Sequence, residues 1–223
     1  MDLQLAGKVA VVTGSTGGIG RAIATEFARY KAITVVNGRT KESCDKAIAG
    51  IAADAGVSAD SLIGVPGDVA NADGAAAFVA ALREVEAKHG PVEVLVNNVG
   101  IFHVQNFQEI PDSKWLEYYE TNTMSGVRLA RVFIKDMLAR NSGRIIFISS
   151  ECGLRPLPHM MAYSISKTSQ IALSRGLAEM TKGTKVTVNC ILPGPTMTEG
   201  VKTYIEDFGK SHGINDRDEA IAR

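Results

Sequence analysis

Short runs of β-branched and aliphatic residues alternate with longer stretches of helical periodicity along the whole chain. KVAVVT (8–13), ITVVN (33–37), SLIGV (61–65), VEVLVNN (92–98), GRIIFISS (143–150) and KVTVNCIL (185–192) read as six strands. Between them the periodicity predicts five helices. The first, 18–31, carries apolar residues at helical spacing. The second, 40–56, has Thr40 as its N-cap and Gly56 just past its end. An alanine-rich helix covers 71–89 and stops at Gly90, a long helix capped by Asp112 runs to about Arg140, and another covers 160–182. Strands that are apolar throughout and joined by helices predict an α/β fold, a parallel sheet covered on both faces. Ligands of such a sheet bind outside the carboxyl ends of the strands, near the point where strand order reverses. No repeat or linker interrupts the pattern, and the Pro/Gly-rich stretches 153–158 and 193–195 are short enough to be loops. The 223 residues read as one domain.

Composition narrows the function classes. Apolar residues make up 45% and charged residues 22%, as in ordinary soluble globular proteins. Lys plus Arg equals Asp plus Glu at 24 each, so no basic field favours nucleic acid. Cys44, Cys152 and Cys190 are far apart and form neither a CxxC nor a zinc spacing, which suits a reducing compartment. MDLQLAGK at the start has no positive region followed by an apolar run, and no stretch reaches the ~18 apolar residues of a membrane span. The expectation is a cytoplasmic protein with no membrane or nucleic-acid partner and no metal.

TGSTGGIG (13–20) lies between the first strand and the first helix. Gly14, Gly18 and Gly20 permit a tight turn and close backbone approach. The helix start then offers free N–H groups and a positive dipole end to a pyrophosphate. Ser15, Thr16 and Ile19 complete this candidate cofactor-binding turn. The second strand should report on the ribose, because a preference for NAD usually places Asp or Glu about 20 residues past the fingerprint. Gly38 occupies that position and Arg39 follows. An arginine pairs with a 2′-phosphate through charge-assisted hydrogen bonds, so NADP(H) is favoured over NAD(H).

AYSISK places Tyr163 and Lys167 one helical turn apart. By itself that spacing fits any helix. Taken with TGSTGGIG, GDV (67–69), NNVG (97–100), Ser150 thirteen residues before Tyr163, and PGPTMT (193–198), the chain resembles the classical short-chain dehydrogenase/reductase family over about residues 5–200. The resemblance implies a Rossmann-type, three-layer αβα fold. It implies that Tyr163 is the acid/base, that Lys167 lowers the tyrosine pKa and binds the nicotinamide ribose, and that Ser150 holds the substrate oxygen. Asn122 would support a water linking Lys167 to solvent. Asp68 and Val69 would meet the adenine, Asn98 and Gly100 the adenosine side, and Pro193, Gly194, Thr196 and Thr198 the nicotinamide end. Val99 stands where the family usually has alanine.

The implied reaction moves a hydride between nicotinamide and a carbonyl or secondary alcohol. A catalytically silent nucleotide-binding scaffold of the same fold is the alternative. Phe102, Leu154, Leu157, Met160 and Met161 suggest an apolar pocket wall. His103, His159 and Cys152 border the cleft without partners at metal-ligand spacing. No G-x-S-x-G elbow supports a hydrolase. Family members usually continue with a further helix and a seventh strand. Here the sequence stops at HGINDRDEAIAR, so a missing C-terminal strand and a substrate lid over 196–223 are expected. The helices 112–140 and 160–182 carry the surfaces that pair subunits in the family, which implies a homodimer or homotetramer.

Overall fold

The structure, a computed structural model, describes residues 3–211. Strands β1 (Val9–Val12), β2 (Ile33–Gly38), β3 (Leu62–Pro66), β4 (Val92–Asn97), β5 (Gly143–Ile148) and β6 (Val186–Ile191) form one sheet. Their order is β3-β2-β1-β4-β5-β6, and every neighbouring pair is parallel. This is the doubly wound fold that the alternation predicts. Strand order reverses between β1 and β4, so a crevice opens there at the carboxyl ends. Among the described residues β6 is an edge strand. The predicted helix start in HGINDRDEAIAR lies outside them.

Helices α1 (Gly18–Arg29) and α2 (Lys41–Ala55) cover one face, while α3 (Ala72–His89), α5 (Ser125–Ala139) and α6 (Met161–Met180) cover the other. The pleat assigns alternate residues to the two layers: Val9 and Val11 to one core, Ala10 and Val12 to the other. Both sides of β1 are therefore apolar, which accounts for its continuous hydrophobic run. The buried face of α1 is a stripe of small residues, Gly20, Ala24 and Ala28. Their size lets the helix lie close on the sheet and brings its first turn to the crevice. Thr40 and Ser43 form a reciprocal capping box on α2, and Gly56 ends that helix in the left-handed conformation (φ 68°).

The predicted helix over 112–140 is not one element. It comprises α4 (Asp112–Tyr118), a π turn (Tyr119–Met124) and α5. Asp112 is not its cap. Pro111 occupies the cap position in an extended conformation, and Asp112 is the first helical residue, where its charge faces the positive helix end. The widened turn follows from buried polar residues that bond outward. Thr123 Oγ1 donates to the Ser166 carbonyl (3.2 Å), and Gln170 Nε2 donates to the Asn122 carbonyl (2.5 Å). The last helix described, α7 (Glu199–Ser211), begins where the lid is expected.

Candidate active site

The glycine turn after β1 is anchored by its own side chains and by two asparagines, Asn37 of β2 and Asn98 after β4. Thr13 Oγ1 accepts from the amides of Asn98 (2.9 Å) and Val99 (3.2 Å), and Asn98 Nδ2 donates to the carbonyls of Thr13 (2.9 Å) and Gly14 (3.2 Å). Ser15 Oγ donates to the Val12 carbonyl (2.7 Å) and accepts from the Asn37 amide (2.9 Å). Asn37 is buried; its Oδ1 accepts from the Gly14 amide (3.1 Å), and its Nδ2 donates to the carbonyls of Val65 and Gly67 (3.1 Å each). Gly14 and Gly18 adopt φ of 61° and 53°, in the left-handed region open to glycine. A Cβ on Gly20 would overlap Asn98 Nδ2 and the Gly14 carbonyl oxygen.

The start of α1 fits an anionic group. Its cap is Gly17, which supplies no side-chain bond, and its first turn holds no acidic residue. The first amides of α1 thus lack a side-chain partner and carry the dipole's positive end. Thr16 and Ile19 are half-buried on this turn. The rim is equally specific. A Cβ on Gly38 would run into Thr16 Cγ2 and lie 2.7 Å from Ser43 Oγ, so any side chain there would have to displace both. Arg39 is exposed, with no ion pair among the described residues. After β3, Val69 is buried in the core, while the exposed Asp68 accepts the Ala70 amide (3.1 Å). Arg128, from α5, holds the Ala70 carbonyl (3.1 Å) and pairs with Glu120.

Across the crevice, Ser150, Tyr163 and Lys167 converge. Ser150 lies two residues past β5 and caps a short 3-10 turn, its Oγ accepting from the Cys152 amide (3.2 Å). The Ser150 hydroxyl faces the Tyr163 phenol and favours its ionised form. Burial pushes the phenol pKa above its ordinary value, and the Ser150 hydroxyl opposes this more weakly. The net shift is upward, against the expectation from sequence that Lys167 would bring it down. Lys167 Nζ lies 5.7 Å from the Tyr163 ring centre and donates to the Ile148 carbonyl (2.9 Å). Lys167 itself is 4% exposed. Desolvation drives its pKa down to about 8, partly offset by the Cys190 thiol. Ser149, the rival to Ser150 by composition, turns away and donates to the Lys167 carbonyl (2.8 Å).

Asn122 is fully buried and fully engaged. Its Oδ1 accepts from the Ile101 amide (2.8 Å), and its Nδ2 donates to the Ile101 carbonyl (3.0 Å) and Ser166 Oγ (2.8 Å). Gly100 lies between this asparagine and the lysine. A Cβ there would sit 3.2 Å from Lys167 Nζ and 3.4 Å from Asn122 Oδ1. Asn122 thus fixes the backbone that faces the ammonium group.

The mouth of the crevice is built differently. Pro193, Gly194 and Thr196 follow β6, with Thr196 Oγ1 donating to the Gly194 carbonyl (3.0 Å). Thr198 reaches back to the glycine turn, 3.5 Å from where a Cβ on Gly18 would stand. Phe102 packs edge-on to Tyr163 (6.1 Å between centres) and beneath Gly200 of α7. Leu154 and Met197 are 69% and 54% exposed. Met160 is buried, so it belongs to the core more than to a pocket wall. Cys152 is also buried, His103 is exposed, and the His159 carbonyl accepts the Gln105 amide (2.9 Å), tying two mouth loops together. No group of His, Cys, Asp and Glu among the described residues could hold a metal ion.

Reading the sequence missed Asn37, Gln170 and Glu151. Asn37 had a signal: a polar residue ending an otherwise apolar buried strand needs partners. Gln170, almost fully buried on α6, belongs to a buried face that is mostly polar, with Ser164, Ser166, Lys167 and Ser174.

A glycine turn and a serine–tyrosine–lysine group facing each other across the switch point of a doubly wound sheet define a nucleotide-dependent oxidoreductase plan. The profile of the family described as short chain dehydrogenase matches residues 8–208, and the chain belongs to that family, whose oxidoreductases act on CH–OH and C=O groups. It is 47% identical over 213 residues to the uncharacterized oxidoreductase YvrD of Bacillus subtilis, covering 96% of this chain and 78% of that protein. It is 31% identical over 205 residues to the 3-oxoacyl-[acyl-carrier-protein] reductase FabG of Escherichia coli, covering 92% and 80%. Among solved structures, L-sorbose reductase from Gluconobacter frateurii, complexed with NADPH and L-sorbose, superposes with a TM-score of 0.84 at 35% identity, covering 96% and 79%. A variant of actinorhodin polyketide ketoreductase with NADPH gives 0.86 at 32%, covering 99% and 82%.

Proposed function

We propose that the chain is an NADP(H)-dependent carbonyl reductase or alcohol dehydrogenase with Tyr163 as its acid/base. The observation that carries this reading is the Ser150–Tyr163–Lys167 group facing a glycine turn fitted to an anion. Because Ser150 Oγ already accepts from the Cys152 amide, its proton is directed outward, towards the phenol or a substrate oxygen. The raised pKa of Tyr163 keeps the phenol protonated at neutral pH, as an acid for a developing alkoxide requires. Lys167, with a pKa of about 8, is mostly cationic there, and its positive potential stabilises the phenolate left once the proton departs. Asn122 and Gly100 hold the backbone around that ammonium group.

The turn Gly14, Ser15, Thr16, Gly18, Ile19 and Gly20 would hold the pyrophosphate. Asp68, Val69, Asn98 and Gly100 would hold the adenosine side, and Pro193, Gly194, Thr196 and Thr198 the nicotinamide side. When bound, the nicotinamide supplies or accepts the hydride. Arg39 would bind the 2′-phosphate, and Gly38 in place of an acid supports NADP(H) over NAD(H). The solved relatives with NADPH point the same way. The test follows the reduced-nicotinamide absorbance with a panel of ketones. NADPH should serve better than NADH, and Arg39→Ala should cost ~10–100-fold in kcat/KM for NADPH while barely changing NADH. No turnover with any ketone despite tight nucleotide binding would favour the silent scaffold.

Val127, Ala130, Ile134 and Leu138 on α5 and Leu173, Leu177 and Met180 on α6 line an apolar groove. This surface supports a homodimer, and a strict monomer with full activity in sedimentation and kinetics would refute it. No helix among the described residues is long and apolar enough to cross a membrane.

A further inference from the structure

Glu151 follows Ser150 directly, at the mouth of the crevice. Its amide donates to the Pro193 carbonyl (3.1 Å), which fixes its backbone against the turn after β6. Its carboxylate crosses to that turn: Oε2 and Oε1 lie 3.5 and 3.6 Å from where a Cβ on Gly194 would stand. The residue is exposed, and its carboxylate has no hydrogen-bond or ion-pair partner among the described residues. Other exposed carboxylates, such as Glu42, Asp73 and Glu84, also lack such a partner among the described residues, but those three lie on α2 and α3, so what distinguishes Glu151 is its place next to Ser150 and against Gly194. An unpaired acceptor beside the serine that faces Tyr163 is available to a ligand.

We infer that Glu151 is a specificity-determining residue, selecting carbonyl substrates that bear a hydroxyl beside the reacting carbon over those that bear a carboxylate or phosphate there. The inference rests on the reductase reading above and names its substrate class. An ionised carboxylate only accepts hydrogen bonds, so its complement is an O–H donor. The bond to a charged acceptor is short and strong. Glu151 adjoins Ser150 in the chain and its carboxylate lies against Gly194, on the nicotinamide side of the proposed site, so the substituent beside the reacting carbon is placed towards it. An anionic group at the same place meets like charge, which discriminates by repulsion rather than by shape. The apolar Phe102 and Leu154 would flank the carbon chain without distinguishing these cases.

Three ketones of similar size separate the alternatives: hydroxyacetone, butanone and pyruvate, each with NADPH. The wild type should show the highest kcat/KM for hydroxyacetone and the lowest for pyruvate. Glu151→Gln keeps the shape and removes the charge. It should lower the hydroxyacetone-to-butanone ratio by ~10-fold and raise pyruvate relative to butanone. NADPH affinity, read by fluorescence titration, and the melting temperature should not change. An unchanged ratio in the variant, or pyruvate as the best wild-type substrate, overturns the role of Glu151. So does a loss of NADPH affinity in Glu151→Gln, which would give the carboxylate to the cofactor instead. If the wild type oxidises NADPH with no ketone of any kind, the reductase reading itself fails, and this inference with it.

Discussion

The two sides of the crevice are made by opposite rules. On the side of the glycine turn, the buried polar side chains are spent on the protein's own backbone. Thr13, Ser15, Asn37 and Asn98 tie the turn to β2, β3 and β4, leaving the amides at the start of α1, with Arg39 and Asp68 at the rim, for a ligand. Across from it, groups are left in unusual states. Tyr163 is held protonated by burial, Lys167 is buried without a carboxylate, and Glu151 is unpaired. Polar atoms satisfied by backbone make a rigid template, and the same template serves one cofactor throughout. Shifted or unpaired groups are costly to fold, and they persist where they bind or react with something.

If that contrast holds, the two sides should fail differently. The largest effect belongs to the template. Asn37→Leu orphans the Gly14 amide and the carbonyls of Val65 and Gly67, at ~1–3 kcal/mol per buried group. Denaturant melts should show a loss of ~3–5 kcal/mol, and nucleotide affinity should fall more than ~10-fold with it. Lys167→Met should do the reverse, abolishing turnover while stabilising the fold near neutral pH. The sign follows from its lowered pKa. Below pH 8 both folded and unfolded chains carry the proton, and the folded chain bears the desolvation cost. Between about 8 and 10.5 the folded chain sheds the proton first, so wild-type stability rises with pH by on the order of 3 kcal/mol and the variant's advantage shrinks. Equilibrium unfolding of both proteins at pH 7 and pH 10 checks this; an advantage that grows with pH would contradict it.

Smaller effects refine the boundary. Arg128→Ala releases the Ala70 carbonyl behind Asp68 and should cost ~1–2 kcal/mol in thermal melts, with a modest rise in KM for the cofactor and none for the ketone. Leu154→Ser, at an exposed mouth position, should leave stability within ~0.5 kcal/mol and change only the KM for apolar ketones.

The template side was largely legible in the sequence because its requirements are local. A glycine needed for φ above zero or for close approach is visible as a glycine, and β-branched runs announce the strands. Ser150 could be separated from Ser149 by its spacing to Tyr163. What escaped depended on tertiary packing. The π turn inside 112–140 arises because Asn122 and Thr123 bond to Ile101 and Ser166, partners distant in sequence. The pKa of Tyr163 was misjudged for a related reason. One helical turn of spacing brings Lys167 near, but burial and the Ile148 carbonyl decide what its charge does. Glu151 looked like any loop acid until the turn at Gly194 folded beside it.

The most direct test of this division is a paired measurement on Tyr163→Phe: NADPH affinity by calorimetric titration, and ketone reduction under saturating cofactor. A separate template and reaction side predict an affinity within ~3-fold of wild type and a turnover reduced by ~10²–10⁴-fold. An affinity that falls in step with turnover, or a variant that still reduces ketones at the wild-type rate, would contradict it.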